Sequence, residues 1–363
     1  MAQITYSFIP TDWNQTRFME LGGFTIVFLN YNKIAFVDRS VKSVLNQDFP
    51  LLEIFFMDDA SKDGSGDEME RIVADYRGRH KVMVVRNTTN QGITGQWNIV
   101  AKMATGNWLG MFCGDDIANP DRVTHAAQRI QEFPTIRGLS TSAFEFGARE
   151  QRINDYNVVL EKGTTPPMQV ADGVHPVIGA TAFWHKSLFE EPLPSGPLDD
   201  LILRWRLQYL EHKNDSPVWL WDGSAATIFY SIGSGVTTQY CTNEHKHGWR
   251  KWVEATRNRK HYHSIATRTW FVIRSWLKEK SAGKEFVDAV NYQILRSKIL
   301  STGTLGRLAL LPKICWVLFF GAEDKTHKRK LFYTWMKRFI LEVFGLHFAG
   351  WVSTTIIHRN GGK

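Results

Sequence analysis

The chain has 363 residues, of which 43% are hydrophobic and 22% are charged. This length allows one large domain, or one domain with an appended module, and the composition excludes a disordered chain. The net charge of +8 is unevenly distributed, because residues 245–363 carry 23 Lys and Arg against 7 Asp and Glu, whereas residues 1–244 carry 21 against 29. A basic C-terminal region of this kind indicates an anionic partner: a membrane surface, a phosphate-bearing substrate or a nucleic acid.

The three cysteines, Cys113, Cys241 and Cys315, are far apart and odd in number. They fit neither a disulfide framework nor the spacing of a zinc site, which favours a reducing compartment. Residues 1–15 lack a basic region followed by an apolar core, so we expect no secretory signal peptide there. These features predict a cytoplasmic protein.

The first part of the chain alternates short apolar runs with segments of helical periodicity. Strands are predicted at 24–29, 53–57, 82–85 and 108–112, and helices at 36–45, 68–76, 93–104 and 120–133. Apolar strands separated by helices indicate a mostly parallel sheet with right-handed crossovers, in which ligands bind at the carboxyl ends of the strands. The polar clusters NYN, DDASKD and CGDD each follow a strand, so we expect the fold to gather them along one edge.

Residues 139–240 show a less regular pattern. A strand is predicted at 179–184, and a helix at 198–210 holds Asp199 and Asp200 in its first turn, where the helix dipole favours anions. The segment 227–238 is predicted to be a strand followed by a Gly-rich loop.

The chain after Asn243 is basic, aromatic and helical in pattern. Its apolar run at 308–320 is too short to span a bilayer. The following segment has one apolar face with Phe332, Trp335, Met336, Phe339, Ile340 and Val343, and an opposite face with Thr334, Lys337 and Arg338. This pattern is typical of a helix lying in a membrane interface, although packing on its own domain is the commoner alternative. We predict contact with an anionic membrane through Trp335, Phe339, Lys337 and Arg338.

Three pairs of carboxylates each allow two interpretations. Asp115-Asp116 is either a turn or a site for Mg²⁺ or Mn²⁺, because these ions bind one or two carboxylates together with substrate phosphates. The second pair, Asp58-Asp59, is either part of a polar loop or a site for hydrogen bonds to a nucleotide. The third pair, in the helix at 198–210, is either an ordinary acidic helix start or holds a general base. The sequence has no GxGxxG after its first strand and no GxxxxGK[ST], which removes the main support for dinucleotide-binding and P-loop proteins.

Four segments, in this order, resemble family 2 glycosyltransferases of the GT-A fold. They are FTIVFLNYN, EIFFMDDASKDGS, NQGITGQWNIVAKMATGNWLGMFCGDDIANPDRV and GATAFWHKSLFEEPLPSGPLDDLILRWR. The last segment is similar to bacterial enzymes that build O-antigen or capsular polysaccharide. The resemblance implies an α/β fold with a Rossmann-like, mostly parallel sheet flanked by helices, followed by a helical, basic, membrane-associating extension. The implied parts are an N-terminal extension (1–21), a nucleotide-sugar half (22–135), an acceptor half (136–240) and a C-terminal helical module (241–363).

The resemblance also implies roles for individual residues. Asp115 and Asp116 occupy the metal and diphosphate motif, and Asp200 is the base that deprotonates the acceptor hydroxyl. Asp199 stands where the family usually has Glu, and Arg206 matches a recurrent Arg that contacts phosphate or acceptor, or lies on the surface. The nucleotide-sugar pocket is implied to contain Asn30, Tyr31, Asn32, Asp58, Asp59, Asn90 and Asp115.

Two positions depart from the family pattern. Cys113 stands where the metal motif usually begins with Asp, and we expect it to be a small buried residue and not a ligand. The stretch YSIGSGVTT has no His where the family often has one that completes the metal site, and His245 and His247 follow only later. The metal site is therefore expected to rest on Asp115 and Asp116, with substrate phosphate and water completing the coordination.

The resemblance implies an inverting glycosyltransferase that uses Mg²⁺ or Mn²⁺ and a nucleotide-sugar donor, with UDP favoured. The expected acceptor is a glycan or a lipid-linked glycan, and the expected location is the inner face of the cytoplasmic membrane. One alternative is a sugar nucleotidyltransferase, but LNYNKIAF lacks its Gly-rich basic loop. Another is a catalytically inactive scaffold docked at the membrane. A nucleic-acid binder is not favoured, because the basic region shows no recognised binding module.

Overall fold

The structure, a computed structural model, describes residues 21–147, 150–153, 158–172, 179–235, 249–302, 309–312, 314 and 328–336. Its strands are β1 (Phe24–Asn30), β2 (Glu53–Asp58), β3 (Lys81–Arg86), β4 (Trp108–Cys113), β5 (Ile117–Ala118), β6 (Gly138–Gly147), β7 (Gln151–Ile153), β8 (Val159–Lys162), β9 (Phe183–His185) and β10 (Pro217–Ile232). Its helices are α1 (Val37–Leu45), α2 (Ser65–Ala74), α3 (Gly92–Met103), α4 (Arg122–Glu132), α5 (Pro167–Asp172), α6 (Asp199–Leu210), α7 (Trp249–Glu279) and α8 (Lys284–Ser301).

The strands form one mixed sheet in the order β3-β2-β1-β4-β9-β6-β10-β5, with β7 beside β6 and β8 beside β10. Strands β3, β2, β1 and β4 are parallel, as the alternation of strands and helices predicts. The second half of the sheet is mixed, because β10 is parallel to β6 whereas β9 is antiparallel to both of its neighbours. This half could not be recognised from strand–helix alternation, because antiparallel strands need no crossover helix between them.

The register of the parallel strands positions the site. Asn30 pairs with Asp58 on one side of β1, and Leu29 pairs with Cys113 on the other. The loops after β1, β2 and β4 therefore leave the sheet at the same edge. This arrangement confirms that the clusters NYN, DDASKD and CGDD lie together, although up to 82 residues separate the atoms that touch.

Two element boundaries differ from the predictions. Helix α4 begins at Arg122 and not at Pro120, because the carbonyl of Pro120 accepts a hydrogen bond from the Asp48 N–H at 2.7 Å and is used outside the helix. The predicted strand at 179–184 is divided into a 3₁₀ turn at Gly179–Thr181 and the short strand β9. The turn carries Gly179 past the end of the sheet and toward α6.

Helix α6 lies inside the protein and joins the sheet to the C-terminal helices. Its Trp205 is 1% exposed, and its ring meets the rings of Trp270 in α7 and Phe286 in α8 edge to face at centroid distances of 5.7 and 6.4 Å. The apolar side chains of α7 and α8 therefore pack on the sheet domain and belong to the same hydrophobic core. The described side chains of these two helices that belong to this core pack on the chain itself.

The segment 328–336 contacts α8 through part of its surface. Leu331 is buried and Trp335 packs beside it, against Tyr292, Leu295 and Ile299. Phe332 and Tyr333 are 39% and 47% exposed.

Among the residues that the structure describes, no helix is long and apolar enough to cross a membrane.

Candidate active site

The turn after β4 places two carboxylates in a buried position. Asp115 is 6% exposed and Asp116 is 1% exposed. Gly114 permits this turn, because a Cβ atom there would lie 2.8 Å from Oδ1 of Asn30. The Oδ1 of Asp116 accepts a hydrogen bond from the Ser231 N–H at 2.8 Å, whereas its buried Oδ2 has no hydrogen-bond partner within the described part of the chain. A buried carboxylate oxygen without a partner is costly, which points to a missing cation or donor.

The side chains around this oxygen fit a hard divalent cation. One ligand atom each of Cys113, Asp115 and Asp116 lie within 4.8 Å of one another. Burial, and then the charge of Asp115, raise the pKa of Asp116 well above its usual value, and a cation beside Asp116 would favour its ionised form. Burial and the same two carboxylates raise the pKa of the Cys113 thiol, which leaves it protonated and a poor ligand for Mg²⁺ or Mn²⁺.

A lysine that the sequence analysis did not single out reaches the first of these carboxylates. The Nζ of Lys33, in the loop after β1, lies 2.7 Å from Oδ2 of Asp115 and donates to the Ser234 carbonyl at 2.7 Å. The Ser234 hydroxyl donates to the same carboxylate oxygen at 2.8 Å. The only sequence signal for Lys33 is its place directly after NYN, and Ser234 carries no signal except its Gly-rich context.

The carboxylates that end β2 organise the neighbouring loops. Asp58 is fully buried, and its oxygens accept hydrogen bonds from the Asn30 side chain at 2.8 Å and the Ser61 N–H at 3.2 Å. Asp59 is 1% exposed and accepts from the N–H groups of Gln91 and Gly92 at 2.8 and 2.9 Å. These contacts hold the loop after β2 and the start of α3 against the end of β1. Direct contact of Asp58 and Asp59 with a nucleotide stays a prediction.

The other implied nucleotide contacts lie around these buried groups. Asn30 is 1% exposed, whereas Tyr31 is 47% exposed. Asn32 has a positive φ of 53° and accepts a hydrogen bond from the Lys62 N–H at 2.8 Å. Asn90 is exposed and donates to the Asp59 carbonyl at 3.4 Å. The side chains of Tyr31 and Asn90 are therefore exposed to solvent, whereas Asn30 and the Asp58-Asp59 pair lie buried beneath them.

A second acidic pair lies at the start of α6. Asp199 is 3% exposed and accepts a hydrogen bond from Nε1 of Trp97 at 2.8 Å. Asp200 is half-buried, and burial followed by the charge of Asp199 raises its pKa to about 7. Gly179 joins this pair to β4, because a Cβ atom there would lie 2.9 Å from Sδ of Met111 and 3.8 Å from Cβ of Asp200. The structure therefore brings Asp200 beside the strand that ends in the Asp115-Asp116 turn.

The observed position of Arg206 excludes one of its two predicted positions. It is 2% exposed, so it does not lie on the surface. Its guanidinium donates to the carbonyls of Leu188, Glu191 and Pro192 at 2.6 to 3.0 Å. These contacts occupy both terminal nitrogens of the guanidinium and hold the segment before α6, whereas Nε of Arg206 has no hydrogen-bond partner among the described residues. Contact of Arg206 with phosphate or acceptor stays a prediction.

Several predicted residues are not part of this cluster. Trp335 packs against α8, away from the strand ends. Lys337, Arg338 and Phe339, predicted to contact a membrane, lie outside the described residues, as do His245 and His247. The described part of the site therefore consists of the ends of β1, β2 and β4, the start of α6 and the loop after β10.

Comparison with known proteins supports the family resemblance of the segment that forms the strand ends and the acidic turn. Residues 25–191 match the model of Glycosyl transferase family 2. A crystal structure of S. aureus TarS 1-349 in complex with UDP-GlcNAc superposes with a TM-score of 0.50 at 15% identity, covering 88% of this chain and 91% of that one. At this identity the likeness shows a shared fold.

Curated relatives match part of the chain. An uncharacterized glycosyltransferase of Haemophilus influenzae is 31% identical over 112 residues, which are 31% of this chain and 36% of that protein. Chondroitin synthase of Escherichia coli is 31% identical over 93 residues, which are 26% of this chain and 13% of that protein. The chain thus spans about a third or less of these relatives' lengths.

Proposed function

We propose that the protein is a metal-dependent, inverting glycosyltransferase that moves a sugar from a nucleotide-sugar donor to a hydroxyl group of a glycan or lipid-linked glycan. The observation that carries this proposal is the pairing of two unlike acidic groups near the end of β4. One is the Asp115-Asp116 turn, in which a buried carboxylate oxygen lacks a partner among the described residues. The other is Asp200, a half-buried carboxylate with a pKa of about 7. The family match over residues 25–191 supports this assignment.

Asp115 and Asp116 would hold Mg²⁺ or Mn²⁺, which supplies positive charge that neutralises the diphosphate as it binds and as it leaves. Asp200 accepts the proton of the acceptor hydroxyl while the hydroxyl oxygen bonds to the anomeric carbon. The bond between that carbon and the diphosphate oxygen breaks, and its electron pair leaves with the nucleoside diphosphate. Attack from the face opposite the leaving group inverts the anomeric configuration, and much of the rate enhancement comes from positioning the two reactants.

The comparisons support a nucleotide-sugar donor and a role in glycan synthesis. The TarS structure of the same fold contains UDP-GlcNAc, and we take a uridine diphosphate sugar as the first donor to test. The partial match to chondroitin synthase supports a role in polysaccharide synthesis, such as O-antigen or capsule. The exposed side chains of Tyr31 and Asn90 provide a place for the nucleoside beside the metal-binding turn.

A panel of sugar nucleotides tests the donor assignment. With 1 mM Mn²⁺, a UDP-sugar at 100 times its Kd is expected to stabilise the protein by about 2.7 kcal/mol, measured as a rise in Tm. Most of the rise in Tm should be lost when EDTA is added, or when UMP replaces the UDP-sugar. The reason is that the metal and the second phosphate bind together. If no sugar nucleotide changes the Tm with or without Mn²⁺, the proposed function is wrong.

Membrane association is part of the proposal and rests on segment 328–336. Its exposed Phe332 and Tyr333 stand beside the basic residues Lys328, Arg329 and Lys330. Basic groups near an anionic surface contribute about 1 kcal/mol each, and exposed aromatic rings insert at the interface. This combination supports a peripheral location on the inner face of the cytoplasmic membrane.

Removal of residues 324–363 is expected to lower co-sedimentation with phosphatidylserine-containing vesicles about tenfold at 0.1 M salt. Because this truncation also removes Leu331 from its contact with α8, the full-length double variant Phe332→Ser/Tyr333→Ser provides a second test that keeps Leu331 in place. It should lower vesicle binding several-fold without a change in Tm. If both variants bind these vesicles as strongly as the wild type does, the membrane assignment is wrong. Neutral vesicles serve as the control.

A further inference from the structure

Lys33 supplies the positive charge next to the acidic turn. Its ammonium lies 2.7 Å from Oδ2 of Asp115, and the two side chains are only 19% and 8% exposed. The same Asp115 oxygen also accepts the hydroxyl of Ser234 at 2.8 Å. One oxygen of the carboxylate is thus occupied by two donors from two different loops.

A divalent ion cannot join this arrangement unchanged. Mg²⁺ binds carboxylate oxygens at about 2.0–2.1 Å, and an ammonium group already on the same oxygen would then stand within a few ångströms of a doubly charged ion. The repulsion between these charges is strong in a site this poorly exposed to water. A cation that binds Oδ2 of Asp115 therefore requires the ammonium of Lys33 to move.

The backbone at Lys33 is fixed independently of its side chain. Its carbonyl accepts the first hydrogen bonds of α1, from the N–H groups of Phe36 and Val37 at 2.9 Å, and its own N–H donates to the hydroxyl of Ser65 at 3.3 Å. The side chain can therefore change partner while the loop stays in place. An ammonium group offers three hydrogen-bond donors on a flexible stem, which suits such an exchange.

We propose that Lys33 is the internal counter-cation of Asp115, which a divalent ion displaces and the diphosphate of the donor then receives. This inference rests on the proposed metal-diphosphate site. It makes cation binding and donor binding cooperative, because the cation alone must break the Lys33–Asp115 ion pair without a replacement, whereas the diphosphate supplies a new anionic partner. The coupling is reciprocal, so each ligand strengthens the binding of the other by the same factor.

The test compares Lys33→Met with the wild type, using Mn²⁺ followed by electron paramagnetic resonance and UDP followed by calorimetry. Without nucleotide, Lys33→Met is expected to bind Mn²⁺ at least fivefold more tightly, because the competing ammonium is gone. In saturating Mn²⁺, the same variant is expected to bind UDP at least fivefold more weakly. A displaced counter-cation predicts tighter Mn²⁺ binding and weaker UDP binding in Lys33→Met. If Lys33 merely supported the loop, its loss would weaken the binding of both ligands.

Two variants serve as controls. Lys33→Arg retains the charge and should restore both affinities toward wild-type values. Lys62→Met removes one positive charge from an exposed side chain in the loop after β2 and should leave Mn²⁺ binding without nucleotide within twofold of wild type.

The outcomes separate this inference from the proposed function. Equal Mn²⁺ affinities of Lys33→Met and the wild type, in protein that binds Mn²⁺ and UDP, would overturn the role of Lys33 and leave the enzyme assignment standing. A loss of both affinities in Lys33→Met would also overturn it. If neither protein binds Mn²⁺ with UDP present, the metal site and the role of Lys33 both fail.

Discussion

Replacing Asp200 by Asn is expected to slow sugar transfer about 10²- to 10⁴-fold, which is the usual contribution of a general base. The amide occupies the same space at the start of α6 but cannot accept the proton of the acceptor hydroxyl. The change is measured as release of nucleoside diphosphate from the donor that the panel identifies. The Kd values for Mn²⁺ and UDP should change little, because Asp200 acts on the acceptor and does not hold the donor.

The pH dependence of the wild type gives this experiment a second readout. Because the pKa of Asp200 is raised to about 7, the carboxylate is increasingly protonated below that pH and cannot act as a base. Transfer by the wild type is therefore expected to rise with pH through about 7, and Asp200→Asn should lack this rise.

Asp215→Asn is the matched control, since this carboxylate is exposed and its contacts are with two surface residues, Lys162 and Thr164. It should keep the wild-type rate and pH profile. Full transfer by Asp200→Asn with an unchanged pH profile would show that another group, or none, acts as the base.

Replacing Asp116 by Asn is expected to abolish Mn²⁺ binding while leaving the fold as stable as the wild type or more stable. An amide oxygen can keep the hydrogen bond from the Ser231 N–H. The negative charge is lost, and with it several kcal/mol of the charge stabilisation that a bound ion supplies to the leaving diphosphate, so transfer should fall about 10³-fold.

Asp116→Asn is expected to lower activity but not stability, because the negative charge of Asp116 is costly to bury without a cation. Burial and Asp115 raise its pKa, which means that the folded state holds the proton more tightly than the unfolded chain does. As the pH rises above the unfolded value of 3.8, ionisation of Asp116 therefore lowers the free energy of unfolding. Asn does not ionise, so in EDTA at pH 7 the Tm of the variant should equal or exceed that of the wild type.

Thermal unfolding in EDTA and Mn²⁺ titration of the same samples check this prediction. Asp59→Asn provides a contrast, because the carboxylate of Asp59 accepts hydrogen bonds at both oxygens and its neutralisation should lower the Tm. If Asp116→Asn binds Mn²⁺ with the same affinity as the wild type, the cation binds elsewhere in the protein.

Sequence patterns predicted the first half of the fold well. The four parallel strands end within two residues of their predicted positions, because each is a short apolar run followed by a polar cluster. Strands β6, β7 and β8 were missed, and β9 was predicted only in part. Their residues are short or mixed in polarity, and their positions depend on pairing with distant strands, such as β9 between β4 and β6.

The same limit applies to the site. The sequence alone identified the acidic pairs at 58–59, 115–116 and 199–200, since carboxylates after buried strands or at a helix start are visible as local patterns. It could not show that Trp97 donates to Asp199 across 102 positions, or that Arg206 is enclosed by carbonyl groups. Such partners are fixed by packing between elements that are remote in the chain.

The sequence by itself determined the fold family, the acidic turn after β4 and the division into an acidic sheet domain and a basic helical region, because each is a local pattern of polarity and charge. Only the tertiary structure decided which charges meet. It placed the ammonium of Lys33 on Asp115, left one oxygen of Asp116 buried without a partner in the described region, and used α7 and α8 to cover the sheet domain. These features depend on the parallel register and on helix packing, which bring together side chains that no spacing in the sequence relates.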